Sequence, residues 1–223
     1  MQSGHHIISV SLGGPGKPSG LVVVEPKSKY FYPKGDESRL EWDNHYDVRW
    51  LERLAAERSY PAIVARIREC ASARRLTARD CSLLVDITAT GRAPLRLFED
   101  QGLYPEPIEV MSAGDAAYHN DLQQLPARDM IGAVQVAFQS RRIEVSDKLE
   151  LAATLLTDLQ AFDPTATSQA ARASRNDDLV TAVAIAVWWG ERLQWNEEIA
   201  DRMLPYDDDD RFDDRTRSVI GGY

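Results

Sequence analysis

Residues Asn176–Trp189, NDDLVTAVAIAVWW, limit what this chain can fold into more than any other stretch. After Asp178 no charged residue occurs until Glu191. A segment that is apolar nearly all round predicts a helix buried inside a layered fold, not one lying on its surface. Asn176 suits the N-cap, and the adjacent Asp177 and Asp178 fall where acids complement a helix dipole. The apolar part, Leu179–Trp189, is too short to span a membrane.

The remaining composition is that of an ordinary globular chain. Of 223 residues, 43% are hydrophobic and 27% charged, which suits one large domain or two small ones. The start, MQSGHHIISV, lacks a basic segment followed by a long apolar core, so no signal peptide is expected. Cys70 and Cys81 have no metal-finger spacing and are expected to be reduced thiols in a cytoplasmic protein. A net charge of −9 argues against indiscriminate binding to nucleic acid. From Glu197 to Tyr223, however, nine acids face four arginines, five of the −9, which leaves only −4 on the rest. The expected organisation is a domain over residues 1–196 and a flexible acidic tail over residues 197–223. Truncation after Leu204, which removes Asp207–Asp210, Asp213 and Asp214, is expected to raise affinity for any polyanion at low salt.

Taken in order, Ile7–Leu12 and Leu21–Glu25 read as two strands joined by GGPGKPSG, a hairpin link. That link is not a phosphate loop, because Gly16-Lys17 is followed by Pro18 where a Ser or Thr hydroxyl is needed. No nucleotide is expected. Lys27–Asn44 reads as a strand end and a loop, and Tyr46–Leu54 as a third strand. Tyr60–Leu76 carries Ile63, Val64 and Ile67 at helical spacing. Cys81–Ile87 is the near-continuous apolar strand expected inside a sheet, and it ends at Asp86. Gly91–Gln101 predicts a helix closed by Gly102, and Pro107–Met111 a strand. Ser112–Gln124 reads as a loop, Pro126 to about Ser140 as a helix, Ile143–Val145 as an extended piece and Lys148–Phe162 as a helix. Strands first, then strands alternating with helices, predict an α/β fold: a mixed sheet of about five strands flanked by helices. A strand-end acid and an acid pair at the start of a buried helix together suit the ligands of a divalent metal ion.

With these pieces in order, the chain resembles the C-terminal nuclease domain of phage terminase large subunits and stand-alone terminase-like proteins, which are RNase H-like. The resemblance runs from about Ile7 to Trp195. It is carried by LVVVE, VRWLERL with SYPAIV, LLVDITATGR, LPARDMIGAVQVAFQSRRIEV, LAATLLTDLQAF and NDDLVTAVAIAVWW. It implies two Mg²⁺ or Mn²⁺ ions held by three sets of acids. Asp86 matches the central-strand acid, and Asp177 and Asp178 match the acid pair of the late helix. The first-strand acid, which would bridge both ions, falls on Ser11. A neutral hydroxyl is a poor ligand for hard Mg²⁺. Ala89, Ala127 and Asn176 also depart from the usual glycine, lysine and histidine. Glu25 lies too far along the second strand to stand in for the missing acid. No motor motif is present.

Two functions therefore compete. One is a degenerate nuclease-fold protein, related to viral DNA packaging, that acts in binding or assembly. The other is an active two-metal DNA endonuclease, with catalytic and metal-binding Asp86, Asp177 and Asp178. Restoring the acid by Ser11→Asp is expected to raise cleavage. Arg128, Arg141 and Arg142 are the candidate DNA contacts, because they flank the helix leading toward the site. Double-stranded DNA and phage packaging or particle components are the expected partners, in the host cytoplasm or on a virion, with no membrane association.

Overall fold

A computed structural model describes residues 5–32, 41–73, 81–161 and 177–203. The hairpin opens with β1 (His6–Ser11) and β2 (Ser19–Phe31), paired antiparallel with Ser11 opposite Gly20. Pro15 and Gly16 occupy the corners of their turn. Lys17 N–H closes it on the Gly14 carbonyl at 3.0 Å, and Gly16 takes a positive φ of 72°, the conformation of a type II turn. β3 (Glu41–Leu54) pairs antiparallel with β2, with one irregularity beside Val23 and Val24. Both strands are longer than expected and take in parts of the predicted loop over Lys27–Asn44.

Next come α1 (Tyr60–Ala71), β4 (Cys81–Asp86), α2 (Leu95–Asp100) and β5 (Glu106–Met111). After them, β6 (Ala117–His119) and β7 (Leu122–Pro126) occupy the stretch read as a loop. Pro126, last residue of β7, is also the N-cap of α3 (Ala127–Gln139). β8 (Ile143–Val145), α4 (Ala152–Ala161) and α5 (Asp178–Met203) complete the described elements. The strands form one mixed sheet in the order β6-β7-β5-β4-β1-β2-β3-β8, eight where about five are expected from the sequence.

Side chains alternate across a strand, so the sheet sorts them onto two faces. On one face Ile8, Val10, Leu21, Val23, Leu54 and Val85 form a core with Ile63, Val64 and Ile67 of α1 and Phe98 of α2. The other face carries α5. Between Asp178 and Gly190 every α5 residue is buried except Thr181 and Trp189, which are half-buried, as an all-round apolar helix requires. Gly20 seats its first turn: a β-carbon there would stand 2.5 Å from the Asp178 carbonyl oxygen. Farther along, Gly190 lies against the Tyr46 ring, and Trp189 Nε1 donates to Ser82 Oγ at 3.3 Å.

The chain divides into two units, Met1–Glu191 and Arg192–Tyr223. Of the second unit the described part, Arg192–Met203, is helical. The first residues of the expected acidic tail, Glu197–Met203, thus belong to a helix. Residues 204–223 and Asn176 lie outside the described residues. Among the described residues no helix is long and apolar enough to cross a membrane.

Candidate functional site

The site is a polar row laid across four neighbouring strands. In register, Asp86 on β4 stands beside Ser11 on β1, Ser11 beside Gly20 on β2, and Gly20 beside Arg53 on β3. Residues opposite one another in a ladder share a face. Asp178 rests on Gly20, so Asp86 and Asp178 lie on the same side of the sheet. With strands about 4.8 Å apart, Asp86 stands two strands, roughly 10 Å, from the glycine that seats Asp178.

Asp86 is buried and held from several directions. The Ser11 hydroxyl donates to Oδ2 at 3.2 Å. Thr88 N–H donates to Oδ1 at 2.9 Å, and the Thr88 hydroxyl donates to the same oxygen. That hydroxyl also accepts Val110 N–H at 2.7 Å, tying the end of β4 to β5. The apolar strand ends here because its next polar groups fold back on the acid in an Asx-type turn.

Asp178 is buried too, and its partner is a guanidinium. Arg53 Nε lies 3.1 Å from Oδ1 and 2.9 Å from Oδ2. Arg53 Nη2 stands 3.5 Å from Oδ2 of Asp158 on α4. Burial pushes the Asp178 carboxyl upward. Arg53, with the backbone N–H groups of Asp178 and Leu179, pulls it back without fully offsetting the burial. Asp177 is half-buried, and its carbonyl accepts Thr181 N–H at 2.8 Å. This makes Asp177 the N-cap residue and Asp178 the first helical residue, one position later than an Asn176 cap implies. Among the described residues, no group of three or more His, Cys, Asp or Glu side chains is placed to hold a metal ion.

Glu25, five residues beyond Gly20, falls on the opposite face and about 16 Å away at strand rise. There it binds Arg49 at 2.6 Å. The three candidate arginines part company. Arg128 is exposed and pairs with Asp115 at 2.8 Å and Asp129 at 3.3 Å. Arg141 is exposed, with a positive φ of 56° just past α3. Arg142, expected to face DNA, is instead turned inward. Its side chain is 11% exposed and donates to Glu191 at 2.7 Å and to the Asn44 carbonyl at 3.0 Å. This fastens β8 to β3 and α5.

Sequence reasoning missed Arg53, Gly20, Thr88 and Asp158. The signal for Arg53 was faint. Leu51 and Leu54 cover opposite faces of β3, so the LERL pattern does not say which face the arginine takes. Only the register with Gly20 decides it.

No protein-family model and no curated protein matches this chain. Solved structures do. The human cytomegalovirus terminase nuclease domain, soaked with Mn, is 20% identical, with 83% of this chain and 82% of that chain covered and a TM-score of 0.50. The large terminase nuclease of the thermophilic phage G20c is 16% identical over 82% of this chain and 81% of that one, with a TM-score of 0.49. The likeness to the cytomegalovirus domain shows the fold: a terminase-nuclease-like, RNase H-like mixed sheet flanked by helices.

Proposed function

We propose that this chain is a terminase-like nuclease-fold protein that has lost phosphodiester cleavage and acts in binding or assembly related to viral DNA packaging. The observation that carries the reading is Ser11. It occupies the strand position beside Asp86, and its hydroxyl spends its proton on the acid it would otherwise join as a second ligand. In two-metal nucleases, ions about 3.5–4 Å apart activate a water and stabilise the leaving oxygen, and the protein must supply enough carboxylate to hold both. Here the row offers Asp86 and Asp178 with a neutral hydroxyl between them. Asp86 is engaged by Ser11 and Thr88, and Asp178 by Arg53. That donor set does not fit two hard divalent ions. No hydrolytic step is therefore derived through them.

What remains is a rigid scaffold with exposed cations at Arg128 and Arg141, suited to phosphate contacts on double-stranded DNA or to acidic surfaces of packaging or particle components. Residues 1–196 form the binding body, and the acidic residues of 197–223 weaken its hold on DNA. The place of action is the host cytoplasm or the virion. A second reading, an active two-metal endonuclease using Mg²⁺ or Mn²⁺ at Asp86, Asp178 and Asp177, is favoured by one observation: Asp86 and Asp178 share a face of the sheet.

Supercoiled plasmid separates the two. With Mg²⁺ or Mn²⁺, the wild-type protein is expected to nick no faster than the Asp86→Ala variant. In EDTA it is expected to retain DNA affinity that falls on Arg128→Ala or Arg141→Ala. Strong cleavage abolished by Asp86→Ala establishes the second reading in place of the first.

A further inference from the structure

The arrangement at Asp178 deepens the reading of a non-catalytic site and rests on it. A buried carboxylate at the start of an apolar helix needs a cation or a proton. In this chain the cation is covalent. Arg53 reaches across from β3, lies against both oxygens of Asp178, and stands within 3.5 Å of Asp158 on α4. One guanidinium thus joins a strand and two helices. Its own side chain is only 24% exposed and that of Asp178 only 6%, so water screens the pair poorly. Gly20 lets the backbone of Asp178 settle onto the sheet beside Arg53.

We infer that Arg53 is a built-in substitute for a divalent cation: it neutralises Asp178, locks α4 and α5 to the sheet without metal, and closes the row to metal ions. Two locks then stand in series, Ser11 and Arg53. Ser11→Asp, expected from the sequence alone to raise cleavage, supplies a third carboxylate but leaves a positive charge against Asp178, so on this inference it does not open the site by itself. A divalent ion approaching that carboxylate meets both repulsion and an occupied ligand. Opening the site requires both changes, and the site so opened takes a hard, oxygen-preferring ion of the Mg²⁺ or Mn²⁺ class.

The test is Mn²⁺ binding to the full chain, followed by electron paramagnetic resonance and by thermal unfolding with and without the ion. Wild-type protein and Ser11→Asp are expected to show no saturable binding and no change in Tm. Ser11→Asp/Arg53→Gln is expected to bind Mn²⁺ saturably, with about tenfold or more ion bound than on Ser11→Asp at the same Mn²⁺ concentration, from the removed charge and freed ligand. At a hundredfold excess over its Kd, the ion should raise the Tm of the double variant by about 5–10 °C. Should the glutamine variant not fold without metal, Ser11→Asp/Arg53→Lys carries the test. Its ammonium keeps the positive charge, so Mn²⁺ binding must stay at the wild-type level, and a gain there overturns the inference. Ser11→Asp binding Mn²⁺ as tightly as the double variant also overturns it, while leaving the role given to Ser11 intact. Two ions on the wild-type protein together with cleavage would instead remove the non-catalytic reading itself.

Discussion

The two faces of strands β4, β1, β2 and β3 are built from alternating residues of the same segments, yet they solve opposite problems. One face takes Val85, Val10, Leu21 and Leu54 and packs them on α1 and α2, with the Glu52–Arg66 ion pair at 2.9 Å beside them. The other takes Asp86, Ser11, Gly20 and Arg53, one register row of those strands, and sets the amino end of α5 on it. The apolar face is held by area removed from water and tolerates exchange of similar shapes. The polar row is held by specific partners, and each partner removed leaves a buried group unsatisfied. An acid-bearing row can therefore be held as structure without metal ions, provided its charges are balanced from within. Arg53 supplies that balance for Asp178.

Four substitutions or modifications break or sharpen this contrast, beginning with the largest effect. Phe98→Ala, on the apolar face and fully buried, should cost about 3–5 kcal/mol in denaturant unfolding. Arg53→Gln leaves Asp178 buried and unpaired. A loss of about 2–4 kcal/mol is expected, trimmed for the partial exposure of the arginine, with much of it recovered in Arg53→Gln/Asp178→Asn. If the single and double variants are equally unstable, the ion pair is not what holds the row. Gly20→Ala pushes a β-carbon into the Asp178 backbone and should lose about 1–3 kcal/mol, with hydrogen exchange accelerated first at Leu179 and Val180. The smallest effect belongs to the apolar face. Burial pushes the Cys81 thiol up to about 11, so its thiolate is scarce at pH 8. Alkylation of native Cys81 should run at roughly a hundredth of the rate of an unfolded thiol and climb as pH rises toward 11. Rapid labelling at pH 8 would show that this face opens more readily than its packing implies.

The parts of this fold legible in the sequence are those written in local periodicity. Ile63, Val64 and Ile67 mark the buried side of α1, Leu179–Trp188 mark a helix buried all round, and Pro15-Gly16 mark the hairpin turn. Asp86 at the end of an apolar strand was visible for the same reason. β6 and β7 were not, because AYHNDLQQLP is short and polar and takes its strand character from pairing with β5. The Arg53–Asp178 pair joins residues 125 apart, and no local pattern encodes such a contact. Arg142 misled for a related reason. An arginine after a helix resembles a surface cation until Glu191, 49 residues on, is folded against it.

The central claim, that this row has exchanged its metal ions for a hydroxyl and a guanidinium, is tested most directly by soaking crystals of the wild-type protein in Mn²⁺ and calculating an anomalous difference map. The account predicts no peak within coordination distance of Asp86 or Asp178, with Arg53 still on Asp178. Two peaks about 3.5–4 Å apart, bridged by these aspartates and with Arg53 displaced, would contradict it.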